Sequence, residues 1–436
     1  MVKKKSSVMS VKQSNKIAII GLGYVGLTLG LALSQKGYEV WGFDKDKNII
    51  KTLSNGKSHI YEKNINRILK KTLNKKFFLS NKITSNFSSY IVTVGTPVEN
   101  KKANLKYIKE VTINLAKTIK NKPQIIFRST LPIGTCNKII IPLFKKYNLH
   151  PGKNYDLSFA PERTIEGNAI EELSLLPQII GSYNQKSFKR CFGIFSKLTK
   201  KVIDVKNFES AEIVKLINNS YRDISFAYSN QIALICKKYN LSANNVISLS
   251  NKDYPRNRVP MPSPGVGGPC LTKDPYILGN ETKSNETNIF EIGRKINTKI
   301  VHELSKSISA SCKNKKTKIL LCGLSFKGEP KTKDYRGSGT LIFLKELKKY
   351  NIELFDPLFT KAEIQKIGAK PFEVVKNSFD KIVILNNNNY FNSKSFKLKM
   401  IKILKKKGEI YDYWNILDNK ILPNKIKYFH IGQTSK

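Results

Sequence analysis

The stretch Lys16-Ile17-Ala18-Ile19-Ile20-Gly21-Leu22-Gly23-Tyr24-Val25-Gly26 decides the fold of this chain. Its first five residues form an almost wholly apolar run of the kind found in a buried parallel strand, and a Gly-x-Gly-x-x-Gly loop follows at once. Leu27 to Lys36 then reads as a helix ending at Gly37, and Tyr38 to Phe43 as a second strand ending on Asp44, 18 residues past the last glycine. Strand, glycine loop, helix, strand and terminal acid make a dinucleotide-binding unit. The glycines admit a pyrophosphate to a helix N-terminus, and the carboxylate takes ribose hydroxyls. Gly21, Gly23, Tyr24, Val25, Gly26 and Asp44 are therefore the expected cofactor residues. A carboxylate at the ribose repels a 2′-phosphate, which favours NAD over NADP, although Lys45 and Lys47 soften the preference. The competing reading is a glycine turn that only packs helix on strand.

Three more strand-like runs deliver polar residues at their ends. Tyr90 to Val94 leads to Gly95-Thr96-Pro97, Gln124 to Phe127 to Arg128-Ser129-Thr130, and Tyr155 to Phe159 to Ala160-Pro161-Glu162-Arg163. Ligands of open α/β sheets bind at the carboxyl ends of strands, so Thr96, Thr130 and Glu162 stand where chemistry is expected. A threonine can equally cap a helix, and Glu162-Arg163 can equally be a surface ion pair.

From about Glu209 to Tyr239 apolar residues recur at helical spacing, over a length suited to linking domains. Lys215 and Asn219 share one face of that helix. A loop with five prolines then runs from Asp253 to Pro264-Gly265-Val266-Gly267-Gly268-Pro269-Cys270-Leu271-Thr272-Lys273-Asp274. The glycines let backbone approach a ligand, and Lys273 is expected to lower the Cys270 pKa and favour a thiolate. The bland alternative is a small buried cysteine beside a turn. Past a helix from about Ile289 to Ser309, the strand-helix alternation resumes at Lys318 to Cys322 without a second Gly-x-Gly-x-x-Gly.

A chain of 436 residues is too long for one compact core. The expected architecture is α/β, with two Rossmann-like doubly wound domains joined by a central helical domain with a long helix. The expected boundaries are a disordered basic arm over 1–14, a cofactor domain over 15–207, a helical domain over 208–310 and a second Rossmann-like domain over 311–436. Lys and Arg number 77 against 32 Asp and Glu, a net +45. The lysines are scattered rather than clustered with aromatics, so they read as solvated faces, and an anionic small molecule is a better partner than nucleic acid. Six cysteines with no Cys-x-x-Cys pair suggest neither a disulfide framework nor a metal site. The absence of a signal-like or membrane-length apolar run predicts a cytoplasmic location without membrane contact.

Taken in order, Gly21 to Gly26, Gly95-Thr96-Pro97, Ser129 to Pro132, Pro161-Glu162-Arg163 with Glu166-Gly167, Lys215 with Asn219, Gly265 to Asp274, and Phe326-Lys327 with Asp334 and Arg336 resemble the nucleotide-sugar dehydrogenases from about Lys16 to Leu417. The resemblance implies a four-electron oxidation of a sugar C6 alcohol to a carboxylate with two NAD per turnover, and a homodimer or higher homo-oligomer built on the long helix. It implies that Cys270 carries a thiohemiacetal and then a thioester, that Asp274 and Thr130 hold a water, and that Lys215 and Asn219 stabilise charge on the C6 oxygen. It implies further that Glu162 serves thioester hydrolysis, and that Thr96, Pro97, Thr130 and Arg336 contact NAD. Glu162, Arg163, Lys215, Asn219, Gly265, Gly267, Gly268 and Lys327 are the implied substrate contacts, with Arg256 or Arg258 reaching a neighbouring subunit's substrate. The form around Glu162 and Pro269 is similar to the UDP-N-acetylhexosamine branch, UDP-ManNAc enzymes included. UDP-glucose, UDP-GlcNAc or UDP-GalNAc oxidation, and more remotely a one-step hydroxy-acid dehydrogenase, are the alternatives.

Overall fold

The computed structural model describes residues 15–256, 258–282, 288–417 and 426–433; the arm expected over 1–14 lies outside them. Its strands are β1 Lys16–Ile20, β2 Glu39–Phe43, β3 Phe77–Ser80, β4 Ser89–Val92, the short pair β5 Val98–Glu99 and β6 Lys102–Ala103, β7 Gln124–Phe127, β8 Asp156–Phe159, β9 Gln178–Ser182, β10 Val202–Asp204, β11 Lys318–Cys322, β12 Asn351–Phe355, β13 Phe379–Ile384, β14 Leu404–Asp412 and β15 Lys427–Phe429.

The first sheet runs β10-β9-β8-β7-β4-β1-β2-β3. All its pairings are parallel except β8 with β9. Alternate residues of β1 feed opposite cores: Ile17 and Ile19 join one apolar cluster, Ala18 and Ile20 the other. Both faces are covered by helices, which is why the strands read as continuous apolar runs rather than alternating ones.

The second sheet runs β12-β11-β13-β14-β15, all parallel. It repeats the first unit's opening bond for bond. In the first sheet, Gly21 donates to the Phe43 carbonyl at 2.8 Å and Leu22 to Asp44 at 2.7 Å; in the second, Gly323 donates to Phe355 at 2.7 Å and Leu324 to Asp356 at 2.8 Å. The copies differ at the acid. Asp356 is fully buried against Ser325 and Asn386, so it has no face left for a ribose. Asp44 is only partly covered.

Between the sheets lies the helix Phe208–Lys238, 31 residues and so about 46 Å long, started by Asn207, whose side chain accepts from the Ser210 amide. It packs on the helix Ile289–Ala310, where Gly293 brings the backbones close at Ile224 and Ala227. A buried polar network ties the two helices to the cysteine loop. Arg294 and Asn297 donate to Asp223, Asn230 donates to Asn297, and the Ser263 amide donates to Asn230.

Candidate active site

A cavity of about 900 Å³ opens at the carboxyl ends of β1, β4 and β7 and reaches the cysteine loop. Its first half is the glycine loop. Gly21 has φ +95°, and a side chain on Gly26 would sit 1.9 Å from the Gly21 carbonyl, so both are required by packing. Gly23 differs: a Cβ there would meet nothing within 4 Å, and the residue lies on the cavity wall at the start of the helix Tyr24–Gln35. Open backbone at a helix N-terminus, with Asp44 held at the rim by the Leu22 and Asp46 amides, fits a dinucleotide pyrophosphate and ribose. Tyr24, Val25, Thr96 and Thr130 share this wall, and Thr96 donates to the Thr130 carbonyl at 2.7 Å, tying two strand-end loops together. Pro97 is exposed and off the wall.

Cys270 lines the other half with Lys215, Lys273, Glu162, Glu166 and Arg336. Lys273 does pull the Cys270 thiol down, as expected, but less than Lys215 does, and burial outweighs both. The Lys273 ammonium is paired at 3.0 Å with Asp274. Lys215 donates to the Glu162 carbonyl. Asn219 donates to Asp274 at 2.6 Å, and the Asp274 amide closes a turn on the Cys270 carbonyl at 2.9 Å, just ahead of the helix Asp274–Gly279. Thr130 is on the wall, but Asp274 is fully buried behind it and Asn219 is also off the wall.

Glu162 is fixed as an anion. Arg128, itself 2% exposed, donates to it from Nε at 3.0 Å and Nη2 at 2.5 Å, and the Arg163 and Thr164 amides add two more bonds. Burial pushes its carboxyl up, but Arg128, the Thr164 amide and Lys215 together hold it below the usual range. A carboxylate so held is a weak base. Arg163 turns away to the Pro177 carbonyl and Asn218.

Glu166 belongs with Gly167 to the sequence motif set, which gives it no role of its own. Its carboxyl is pushed up to about 7, first by burial and then by Asp334, against the pull of Arg336 and Lys327. Only its place between a Pro-Glu-Arg triplet and Gly167 marks it in the chain. Arg336 comes from the second sheet's domain, gripped by Asp334 and 4.0 Å from Glu166.

Other expected substrate contacts are occupied by protein. A Cβ on Gly265 would lie 2.5 Å from Val301, on Gly267 2.4 Å from the Gly337 carbonyl and on Gly268 2.7 Å from the Phe326 ring. These glycines seat the cysteine loop on its neighbours, and none lines the cavity. Lys327 is also off the wall, donating to the Glu166 carbonyl at 2.6 Å; burial lowers its pKa to about 8. Arg256 and Arg258 are exposed and away from the cavity, with Arg256 5.8 Å over the Tyr254 ring.

Residues 15–199 match the NAD binding domain of the UDP-glucose/GDP-mannose dehydrogenase family, 209–299 its central domain and 320–419 its UDP binding domain. The chain is 31% identical over 355 residues to a UDP-N-acetyl-D-mannosamine dehydrogenase of Pyrococcus horikoshii, covering 78% of this chain and 83% of that one. It is 30% identical over 419 residues to the enzyme of that name from Methanococcus vannielii, covering 93% and 94%. A solved UDP-D-ManNAc dehydrogenase structure from Pyrococcus horikoshii superposes with a TM-score of 0.85 at 28% identity, over 96% of this chain and 99% of the other.

Proposed function

The chain belongs to the UDP-glucose/GDP-mannose dehydrogenase family and is an NAD-dependent oxidoreductase of nucleotide sugars, and we propose that it converts the C6 hydroxymethyl of a UDP-N-acetylhexosamine, UDP-N-acetylmannosamine first among them, to the carboxylate through Cys270. The observation that carries this reading is Cys270 on the wall of the same cavity as the open Gly23 backbone, with Lys215 also on that wall. When bound, NAD supplies the hydride acceptor for each oxidation.

The chain's own groups do the rest. The backbone of Gly23, Tyr24 and Val25 holds the pyrophosphate and Asp44 the ribose, while Arg336 closes on the cofactor from the second domain. Lys215, with its ammonium anchored on the Glu162 carbonyl, faces the alcohol oxygen and stabilises charge as its proton leaves. Asn219 and Asp274 support this half from behind. The Cys270 sulfur then bonds to the aldehyde carbon, and its proton passes to the carbonyl oxygen. Loss of the second hydride, together with the hydroxyl proton, leaves a thioester. A water adds to its carbon, the C–S bond breaks and the sulfur regains a proton. We assign the base for that water to Glu166, because a carboxyl titrating near 7 beside the thiol suits the task and the Arg128-bound Glu162 does not.

The long helix exposes Ile217, Tyr221, Tyr228 and Ile235 along one seam, and we assign that seam to a homodimer. Across such a dimer we assign the exposed Arg256 and Arg258 to a partner's substrate. Among the described residues no helix is long and apolar enough to cross a membrane. The test is an NADH-release screen over UDP-glucose, UDP-GlcNAc, UDP-GalNAc, UDP-ManNAc and GDP-mannose. Two NADH per sugar with UDP-ManNAc preferred is the expected result; one NADH per substrate, or preference for a sugar without the N-acetyl group, overturns the assignment.

A further inference from the structure

Tyr24 opens the helix that follows the glycine loop, yet its hydroxyl points out of the cofactor loop. It donates to the carboxylate of Glu62 and accepts from the Gly167 amide, and Gly167 also donates to Glu62 at 3.0 Å. Glu62 is 6% exposed and takes the Ala169 and Ile170 amides as well. A carboxylate buried on a phenol and backbone amides is a costly choice where apolar packing would serve for stability alone. The turn it grips is held from the far side too. Lys327 donates to the Glu166 carbonyl, Thr332 donates to its carboxyl at 3.3 Å, and Gly167, at φ +93°, lies so close to the second domain that a Cβ would sit 2.2 Å from the Lys331 carbonyl. The turn has no slack between the cofactor domain and the second Rossmann-like domain.

We propose that Tyr24 and Glu62 are positioning residues, which tie the Glu166-Gly167 turn to the cofactor loop and so set where the Glu166 carboxyl stands relative to Cys270. This rests on the assignment of thioester hydrolysis to Glu166. Cofactor seated on the loop steadies the first helical turn, and through the hydroxyl of Tyr24 it steadies the Gly167 amide. The chemical half of the site then inherits its geometry from the binding half.

Stopped-flow NADH release with UDP-N-acetylmannosamine, together with mass analysis of Cys270, separates this from a merely structural role. Tyr24→Phe and Glu62→Leu are expected to keep the early NADH burst and the KM for the sugar while the steady rate falls about tenfold, the weight of one buried hydrogen bond, with the acyl adduct accumulating on Cys270. Glu62→Gln keeps an acceptor for the Gly167 amide and restores most of the rate. Burst and steady rate falling together, or no change in either variant, overturns the proposal. Hydrogen exchange at the Glu166-Gly167 peptide tests the tie without chemistry: NAD slows it in the wild type and fails to do so in Tyr24→Phe, and equal protection in both overturns the tie. If Glu166→Gln itself accumulates no adduct while the exchange result holds, the hydrolytic assignment fails and the tie stands.

Discussion

Replacing Glu166 by glutamine removes one proton site and almost no volume, which makes it a sharp probe of the cavity's electrostatics. The side chain is 14% exposed, and its carboxyl holds a proton up to about 7, against 4.5 for a free glutamate. A folded-state pKa raised in this way means that the native protein binds a proton which the unfolded chain releases. Stability is therefore fullest below 4.5, falls as pH climbs to 7 and is flat above. The difference corresponds to about 3 kcal/mol, at 1.36 kcal/mol for each pH unit. Glutamine carries no charge to desolvate, so the variant escapes this loss. Scanning fluorimetry of wild type and Glu166→Gln between pH 4.5 and 8 is expected to show the variant gaining on the wild type by about 3 kcal/mol, a few degrees for a chain of this size. The same variant should stall with the acyl group on Cys270. A melting difference that does not change with pH would refute the reasoning, because it would mean that Glu166 ionises like a free carboxyl.

Three further outcomes follow from the geometry. Arg128→Met strands the fully buried Glu162 carboxylate and is expected to lower stability by about 3–5 kcal/mol, read by denaturant unfolding, whereas the paired change Arg128→Met with Glu162→Gln recovers much of it. Gly167→Ala forces a side chain into a left-handed turn against the Lys331 carbonyl; steady-state activity should drop with a loss of at least about 2 kcal/mol in stability, and a fully active alanine variant would contradict the packing. Tyr221→Lys with Tyr228→Lys charges the exposed seam of the long helix, and light scattering should then report a monomer.

How much of this was legible in the chain depends on how far each residue's partners lie. The glycine loop and Asp44 were legible because strand, turn, helix and acid are neighbours in sequence, and β1, β7 and β11 run over the residues their apolar patterns predict. What the loop glycines Gly267 and Gly268 pack against, Phe326 and Gly337, was not legible because it belongs to a later domain. Lys273 lowers the Cys270 pKa as its proximity in sequence suggests, but Lys215, brought in from the long helix, lowers it more, and Lys273 is shared with Asp274. The role of Glu166 escaped because burial and Asp334, not its neighbours, set its proton affinity. The Asn386-to-Asn388 loop is built into the second unit. Asn386 donates to Asp356, Asn387 accepts from the Gly328 amide and Asn388 caps the short turn that follows.

The central claim is that one sulfur carries the sugar between two oxidations. The direct measurement mixes enzyme, NAD and UDP-N-acetylmannosamine, quenches within a turnover and determines the mass of the Cys270 peptide, with NADH counted in the same sample. The mechanism predicts an acyl adduct confined to Cys270 and two NADH for each carboxylate formed, with Cys270→Ser giving neither adduct nor carboxylate. Full carboxylate production by Cys270→Ser would contradict it.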